Sequence, residues 1–333
     1  MPQGYHHLDR DQRCQIYTLK ERGDSLTAIA QVLEVHRSSV FRELRRNKGR
    51  RGYRYKQADE KAQARRDMAC QEKKKMTLPI IALIEEKLRL QWSPVQISGW
   101  LKKSGYKQAV SHETIYQHLW QDKRDGGSLY KELRHHGKKY NKRSKGTAGR
   151  GCISNRIDIK ERPLIVEKKS RLGDWELDTI VGASQSGAIV SMVERTSKLT
   201  KLAKVSRKNA EATEAALVEN LTPVREFVHT LTADNGKEFS NHQSIGYALG
   251  ADFYFATPYH SWERGLNEHT NGLVRQYFPK SQRFDLVSDE DLKKVEVLLN
   301  NRPRKILNFS TPQEVFTQLS KRAAASRLFE SSS

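Results

Sequence analysis

The stretch GDWELDTIVGA (residues 173–183) is followed, three residues on, by GAIVSMVERTSK (187–198) and then LTKLAKVSR (199–207). All three are rich in Val, Ile and Thr, and glycine or polar turns separate them, so they predict successive strands. NAEATEAALVENLTPV (209–224) reads as a helix with Ala212, Ala215, Ala216 and Leu217 facing inward. VHTLTADNG (228–236) is a fourth strand and FYFATP (253–258) a short fifth. Helices over ERGLNEHTNGLVRQYF (263–278) and DEDLKKVEVLLNNRP (289–303) follow. Strands in a row, then a helix, then strand and helix in alternation predict an α/β domain with a mixed sheet over residues 171–320, and residues 321–333 as a C-terminal tail.

Upstream of this domain the chemistry changes. The chain has 333 residues and a formal net charge of +21. Residues 1–150 carry 34 Lys and Arg against 16 Asp and Glu, a net of +18; the remainder is nearly neutral at +3. A charge so concentrated implies a polyanionic partner, bound through the N-terminal half. A membrane surface is the weaker choice of partner: no run of 18 apolar residues exists, and the N-terminus has no apolar signal-like segment. Cys14, Cys70 and Cys152 are odd in number and far apart, which fits a reducing cytoplasm better than a disulfide framework. His6, His7, Cys14 and Cys70 lack zinc-ligand spacing.

Residues 1–50 have helix-turn-helix spacing. DRDQRCQIYTLKER (9–22) is a helix that Gly23-Asp24 ends. Ser25 caps LTAIAQVLEV, in which Leu26, Ile29, Ala30 and Leu33 make a helical stripe. RSSVFRELRRN (37–47) follows, with Val40, Phe41 and Leu44 apolar. Small Ala30 allows close helix approach and Val35 plugs the turn, where Glu34 stands in place of the common Gly. On and beside the third helix, Arg37, Ser38, Ser39, Arg42, Arg45 and Arg46 are the candidate DNA contacts: Arg can pair bidentately with guanine, and Ser can take a phosphate or a base edge. Residues 51–75 read as a basic linker with a solvated helix. A second helix-turn-helix is expected over 76–122, where Ser93-Pro94 starts one helix and Ser111 caps HETIYQHLW. There Ile115, Leu119 and Trp120 are expected inside, with Ser111, His112, Thr114 and Gln117 toward DNA. Residues 123–170 are a Gly-, Lys- and Arg-rich linker suited to following a phosphate backbone.

Three carboxylates in the C-terminal domain invite a chemical reading. Asp178 lies in the first predicted strand, Asp234 at the end of the fourth beside an Asn-Gly turn, and Glu268 near the start of the helix after it. On that helix Arg264, Glu268, Asn271 and Arg275 make one polar line, while Leu266, Leu273 and Tyr277 lie elsewhere around the axis. Hard cations such as Mg²⁺ take oxygen ligands. Two of them about 3.5–4 Å apart can activate an attacking oxygen and stabilise a leaving one in phosphoryl displacement. Spacing alone does not choose the ligands. Glu176 shares a strand face with Asp178, Glu263 competes for the helix position, and Glu238 is a further acidic neighbour.

GDWELDTIVG (173–182), LTADNGKEF (231–239) and ATPYHSWERGLNEHTNGLVRQYFPK (256–280) together resemble the DDE transposases of bacterial insertion sequences, specifically the IS-thirty family. The resemblance spans nearly the whole chain. It implies an RNase H-like catalytic core similar to that of retroviral integrases. It assigns Asp178, Asp234 and Glu268 as catalytic metal ligands for two Mg²⁺, with Mn²⁺ as a substitute, in preference to Glu176 and Glu263. His269 departs from the Asn often found there. It further implies binding of the element's terminal inverted repeats, cleavage by water to leave a 3′-OH, and attack of that 3′-OH on a second phosphodiester, by way of a circular intermediate with abutted ends. Asn235, His260, Trp262, Arg264, Asn267, Asn271, Arg275 and Lys280 become candidates to contact DNA or order the site. Holding two ends implies a homodimer or larger synaptic complex, working on target DNA in the bacterial cytoplasm at the nucleoid. Two rival readings are a helix-turn-helix repressor without catalysis and a nuclease that only hydrolyses. Metal-dependent cleavage tests the first, and strand-transfer products test the second.

Overall fold

The computed structural model describes residues 7–72, 75–134, 153–257 and 265–330. The chain divides into two compact units, Met1–Thr77 and Leu78–Ser333.

The first unit is all helix: α1 (Arg10–Glu21), α2 (Leu26–Val32), α3 (Arg37–Asn47) and α4 (Tyr55–Glu72). Asp9 and Gln12 form a reciprocal capping box that starts α1, and Ser25 accepts from the Ala28 amide to start α2. Between α2 and α3, Glu34 takes a left-handed backbone with φ of 52°, the conformation for which the turn position usually carries Gly. Ile16, Ile29, Ala30, Leu33 and Val40 form the core with Tyr53 and Ala58. Phe41, apolar on α3, is half exposed. One sequence expectation changes: the helix expected to be solvated, α4, buries Ala58 and Ala62. Its Asp59 also lies 2.9 Å from Arg13 of α1, which in turn pairs with Glu43 of α3 at 2.9 Å.

The second unit opens with α5 (Leu78–Arg89), α6 (Pro94–Lys103) and α7 (His112–Arg124). Ser93 and Gln96 form a capping box around Pro94, and Ser111 caps α7 through the Thr114 amide. Ile115 and Leu119 are buried as expected, whereas Trp120 is exposed. Gly99 of α6 is required by close approach: a Cβ there would lie 2.2 Å from the ring of Phe309.

After α8 (Leu164–Lys168) come β1 (Asp174–Val181), β2 (Ala188–Glu194), β3 (Thr200–Val205), α9 (Ala210–Leu221), β4 (Thr230–Ala233), α10 (His242–Leu249) and β5 (Asp252–Phe255). Then follow α11 (Gly265–Tyr277), α12 (Asp289–Asn300) and α13 (Pro312–Glu330), which continues through most of the expected tail. The sheet order is β3-β2-β1-β4-β5. The first three strands are antiparallel, and β4 and β5 run parallel to β1. This is the RNase H-like arrangement that the resemblance implied. Alternate residues of β1 serve two cores. Trp175 and Leu177 pack on one face with Leu217 and Leu221 of α9 and Ile245 of α10. Ile180 packs on the other with Leu273 and Val274 of α11 and Leu292 and Leu299 of α12. In α9 it is Thr213, Ala216, Leu217 and Leu221 that are buried, and Ala215 is exposed. No helix among the described residues is long and apolar enough to cross a membrane.

Candidate active site

Asp178 sits near the middle of β1, on the same side as Ile180 and therefore on the α11 side of the sheet. Its two carboxylate oxygens are held differently. Oδ1 accepts from the Thr179 amide at 2.9 Å. Oδ2 accepts from Asn271 Nδ2 of α11 at 2.6 Å, a short charge-assisted bond. The other end of the Asn271 amide accepts from Ser191 Oγ at 3.2 Å, and Ser191 is the β2 residue opposite Asp178 in register. Acceptor carboxylate on one side and donor hydroxyl on the other fix which way the amide points.

Asp234 follows β4. Parallel pairing of β1 with β4 runs as far as Glu176 and Thr232, and Asp178 and Asp234 each stand two residues beyond that pair. Such strands lie about 4.8 Å apart. Asp234 Oδ1 accepts from the Gly236 amide at 2.9 Å, which makes it a turn former as well as a strand-end carboxylate. Asn235 is buried. It donates to the Ala256 carbonyl at 2.7 Å and accepts from Arg156, tying the ends of β4 and β5 together.

Glu268 is exposed in the first turn of α11. That helix is fastened along β1 by side chains at i, i+4 and i+8. Asn267 donates to the Leu177 carbonyl at 3.1 Å, Asn271 to Asp178, and Arg275 to the Val181 carbonyl at 2.7 Å. Asn267 is buried, and Arg275 also lies over the Phe284 ring. These three residues order the helix on the sheet. Lys280 is exposed beyond its end. His260, Trp262, Arg264 and Glu263 lie outside the described residues.

The competing carboxylates are engaged elsewhere. Glu176 is buried and pairs with Arg195 at 2.8 Å. Glu238 is buried, accepts from Thr179 Oγ1 at 2.7 Å and pairs with Lys208 at 2.8 Å. Sequence reasoning missed Ser191, although a lone serine inside AIVSMV was its signal. It also missed Arg195, the buried ion-pair partner of Glu176.

An oxygen-only donor set of Asp178, Asp234 and Glu268 suits a hard cation such as Mg²⁺ or Mn²⁺. Asp178 stands on β1, Asp234 just past the end of the adjacent β4, and Glu268 rides a helix bonded to Asp178. Among the described residues, however, no three His, Cys, Asp or Glu side chains are grouped closely enough to hold a metal ion. The donor chemistry fits such a cation, and the three carboxylates are not gathered into one metal-binding group in this arrangement.

In the first unit, Arg37, Arg42, Arg45 and Arg46 are exposed on α3, with Ser38 and Ser39 half-buried. Arg42 folds back over the helix start, donating to Ser38 Oγ at 2.9 Å and to the Ser38 carbonyl at 3.0 Å. Ser38 Oγ lies 2.7 Å from His36 Nδ1. In the second unit, Ser111 and Thr114 are joined at 2.9 Å in the cap of α7, and His112 and Gln117 are exposed.

A family model described as a helix-turn-helix domain matches residues 4–47. The transposase for insertion sequence element IS4351 of Bacteroides fragilis is 44% identical over 316 residues, 94% of this chain and 96% of that one. Transposase InsI for insertion sequence element IS30A of Escherichia coli K12 is 35% identical over 320 residues, 93% of this chain and 83% of that one. Among solved structures, the catalytic core domain of BIV integrase aligns with a TM-score of 0.37 at 20% identity, over 45% of this chain and 97% of that one. At that score the fold reading rests on the strand order itself.

Proposed function

The chain belongs to the transposase family of IS30-type insertion sequences, and from that premise we propose that Asp178, Asp234 and Glu268 carry its strand cleavage and strand transfer. The observation that supports this reading best is the Asn271–Asp178 bond, which couples the helix bearing Glu268 to the strand bearing Asp178. Asp178 and Asp234 each stand two residues beyond the Glu176–Thr232 pair that ends the β1–β4 pairing, which supports placing them near each other.

The three carboxylates would hold two Mg²⁺, or Mn²⁺ in their place. When bound, such ions neutralise the phosphate and activate the attacking oxygen. Around them the protein's own groups position the reaction. Asn271 and the Thr179 amide fix the Asp178 carboxylate, the Gly236 amide fixes Asp234, and Asn267 and Arg275 clamp α11 to β1. Water attacks a phosphodiester at the element's end, breaking the 3′ P–O bond to leave a 3′-OH and a 5′-phosphate. The 3′-OH then attacks a second phosphodiester and releases another 3′-OH. The chain binds the terminal inverted repeats through α3, with Arg37, Ser38, Ser39, Arg42, Arg45 and Arg46 as contacts, and places α7 with Ser111, His112, Thr114 and Gln117 on DNA as well. Two ends are held by two or more copies of the chain.

The test is a labelled duplex bearing the element's terminal repeat, incubated with and without Mg²⁺ and resolved on a denaturing gel. Wild type is expected to nick and join only with metal. Asp178→Asn, Asp234→Asn and Glu268→Gln are expected to bind ends without cutting. Cutting by Asp234→Asn at the wild-type rate would sink the assignment.

A further inference from the structure

On the side of α11 away from Asn267 and Asn271, the second unit encloses a cavity of about 1110 Å³, bounded by α6, α7, α11 and the segment after α12. Arg302 and Arg304 line it, at 2% and 8% exposure. Arg302 donates to Gln276 and Tyr277, and Arg304 to the Leu299 carbonyl at 3.1 Å. Neither has a carboxylate partner among the described residues, and Nε of each has no hydrogen-bond partner there. The exposed Arg134 stands at the rim, against α11: a Cβ on Gly272 would lie 2.5 Å from its guanidinium. Exposed Lys305 adds a fourth cation. The carboxylates that share the cavity are occupied, Glu176 and Glu167 by arginines and Glu132 by Gln91.

Buried like charges without an anion are costly, and an anion entering the cavity relieves both the desolvation and the mutual repulsion. Burial and the neighbouring Arg302 and Arg134 already push the Arg304 guanidinium down to about 10. The walls add a second clue. Tyr116 and the exposed Trp120 also line this cavity. Cations that hold a backbone beside aromatic rings that stack bases are the usual means of gripping single strands. Arginines this deep lie beyond the phosphates of an intact duplex, whereas a strand with unpaired nucleotides can thread inside.

We propose that Arg302, Arg304 and Arg134 form a phosphate-binding site that grips an unpaired DNA strand at the element's end, with a base placed against Trp120 or Tyr116. This rests on the transposase reading for the identity of the ligand but uses no catalytic carboxylate.

The experiment measures, by fluorescence anisotropy without metal, full-length protein binding to two terminal-repeat duplexes. One is fully paired and the other has three unpaired nucleotides at the cleavage end. Wild type is expected to prefer the splayed end by about tenfold, the order expected for stacking one base. Arg134→Ala, a rim change with little demand on folding, and Arg304→Gln, checked for folding by circular dichroism, are expected to lose that preference while still binding the paired end. Retention of the preference by Arg134→Ala together with a folded Arg304→Gln would overturn the proposal. So would inorganic phosphate at millimolar concentration quenching Trp fluorescence in wild type when neither DNA does. Cleavage by Asp234→Asn would defeat the catalytic assignment and leave this preference untouched, so the two failures are distinct.

Discussion

Asn271→Ala isolates what holds the first carboxylate in place. The substitution removes the 2.6 Å bond to Asp178 Oδ2 and leaves Ser191 Oγ without its α11 acceptor. A hydrogen bond to a charged group contributes about 1.5–3 kcal/mol. If all of that is expressed in the transition state, cleavage slows by about 10- to 150-fold. Asn271→Asp should be slower still, because it sets a second carboxylate against Asp178 where a donor stood. The assay is single-turnover nicking of a labelled terminal-repeat duplex at saturating protein, with end binding measured in parallel. Binding should be unchanged, since Asn271 is on α11 and the proposed end contacts are on α3 and α7. Nicking by Asn271→Ala within about threefold of wild type would refute the reasoning, because that loss is too small for a removed charge-assisted bond.

Other predictions concern stability. Glu43→Ala leaves Arg13, 4% exposed, with only Asp59 beside it and strips the acceptor from Tyr53, whose phenol burial and Glu43 now hold well above its ordinary value. Breaking one partner of a buried pair costs about 3–5 kcal/mol. Amide exchange within residues 7–72 should therefore accelerate sharply, and wild-type protection would contradict the role given to the pair. Lys198 is pushed down to about 8 by burial and by Lys169. Its folded value lies below its unfolded one, so between pH 8 and the ordinary lysine value near 10.5 the unfolded chain holds a proton that the folded chain has released. Stability should thus rise across that window relative to Lys198→Met, with the full cost of the buried charge present below pH 8. Denaturant titrations of both proteins at pH 7 and 9.5 check this, and parallel pH profiles would contradict it.

Much of the catalytic domain was legible in the sequence because strand propensity and burial agree there. β1 to β4 fall within the stretches read as strands and β5 begins one residue ahead of its stretch, since runs rich in Val, Ile, Thr and aromatics bounded by turn residues admit few other readings. The helix α10 between β4 and β5 was not foreseen; HQSIGYAL is short and mixes Gly and Ser into its pattern. Ala215 was misplaced because alanine is small enough to sit on either face of α9. In the site, the polar line on α11 was visible, but its purpose was not: Asn267, Asn271 and Arg275 meet β1 atoms about ninety residues away, and no local rule encodes that pairing. Arg302 was read only as part of a closing helix and Arg304 was not singled out, since burial of a charge by distant elements leaves no periodic trace.

Of the three carboxylates proposed to share one metal site, Glu268 is the most exposed. The most direct measurement is Mn²⁺ binding to full-length protein on a terminal-repeat duplex, followed by loss of the free-ion electron paramagnetic resonance signal. Wild type should bind, and each of Asp178→Asn, Asp234→Asn and Glu268→Gln should weaken binding by at least about tenfold, as expected when a ligand is removed. Titration of Glu268→Gln indistinguishable from wild type would mean that the helix carboxylate is not a ligand, and the three-carboxylate account would fail.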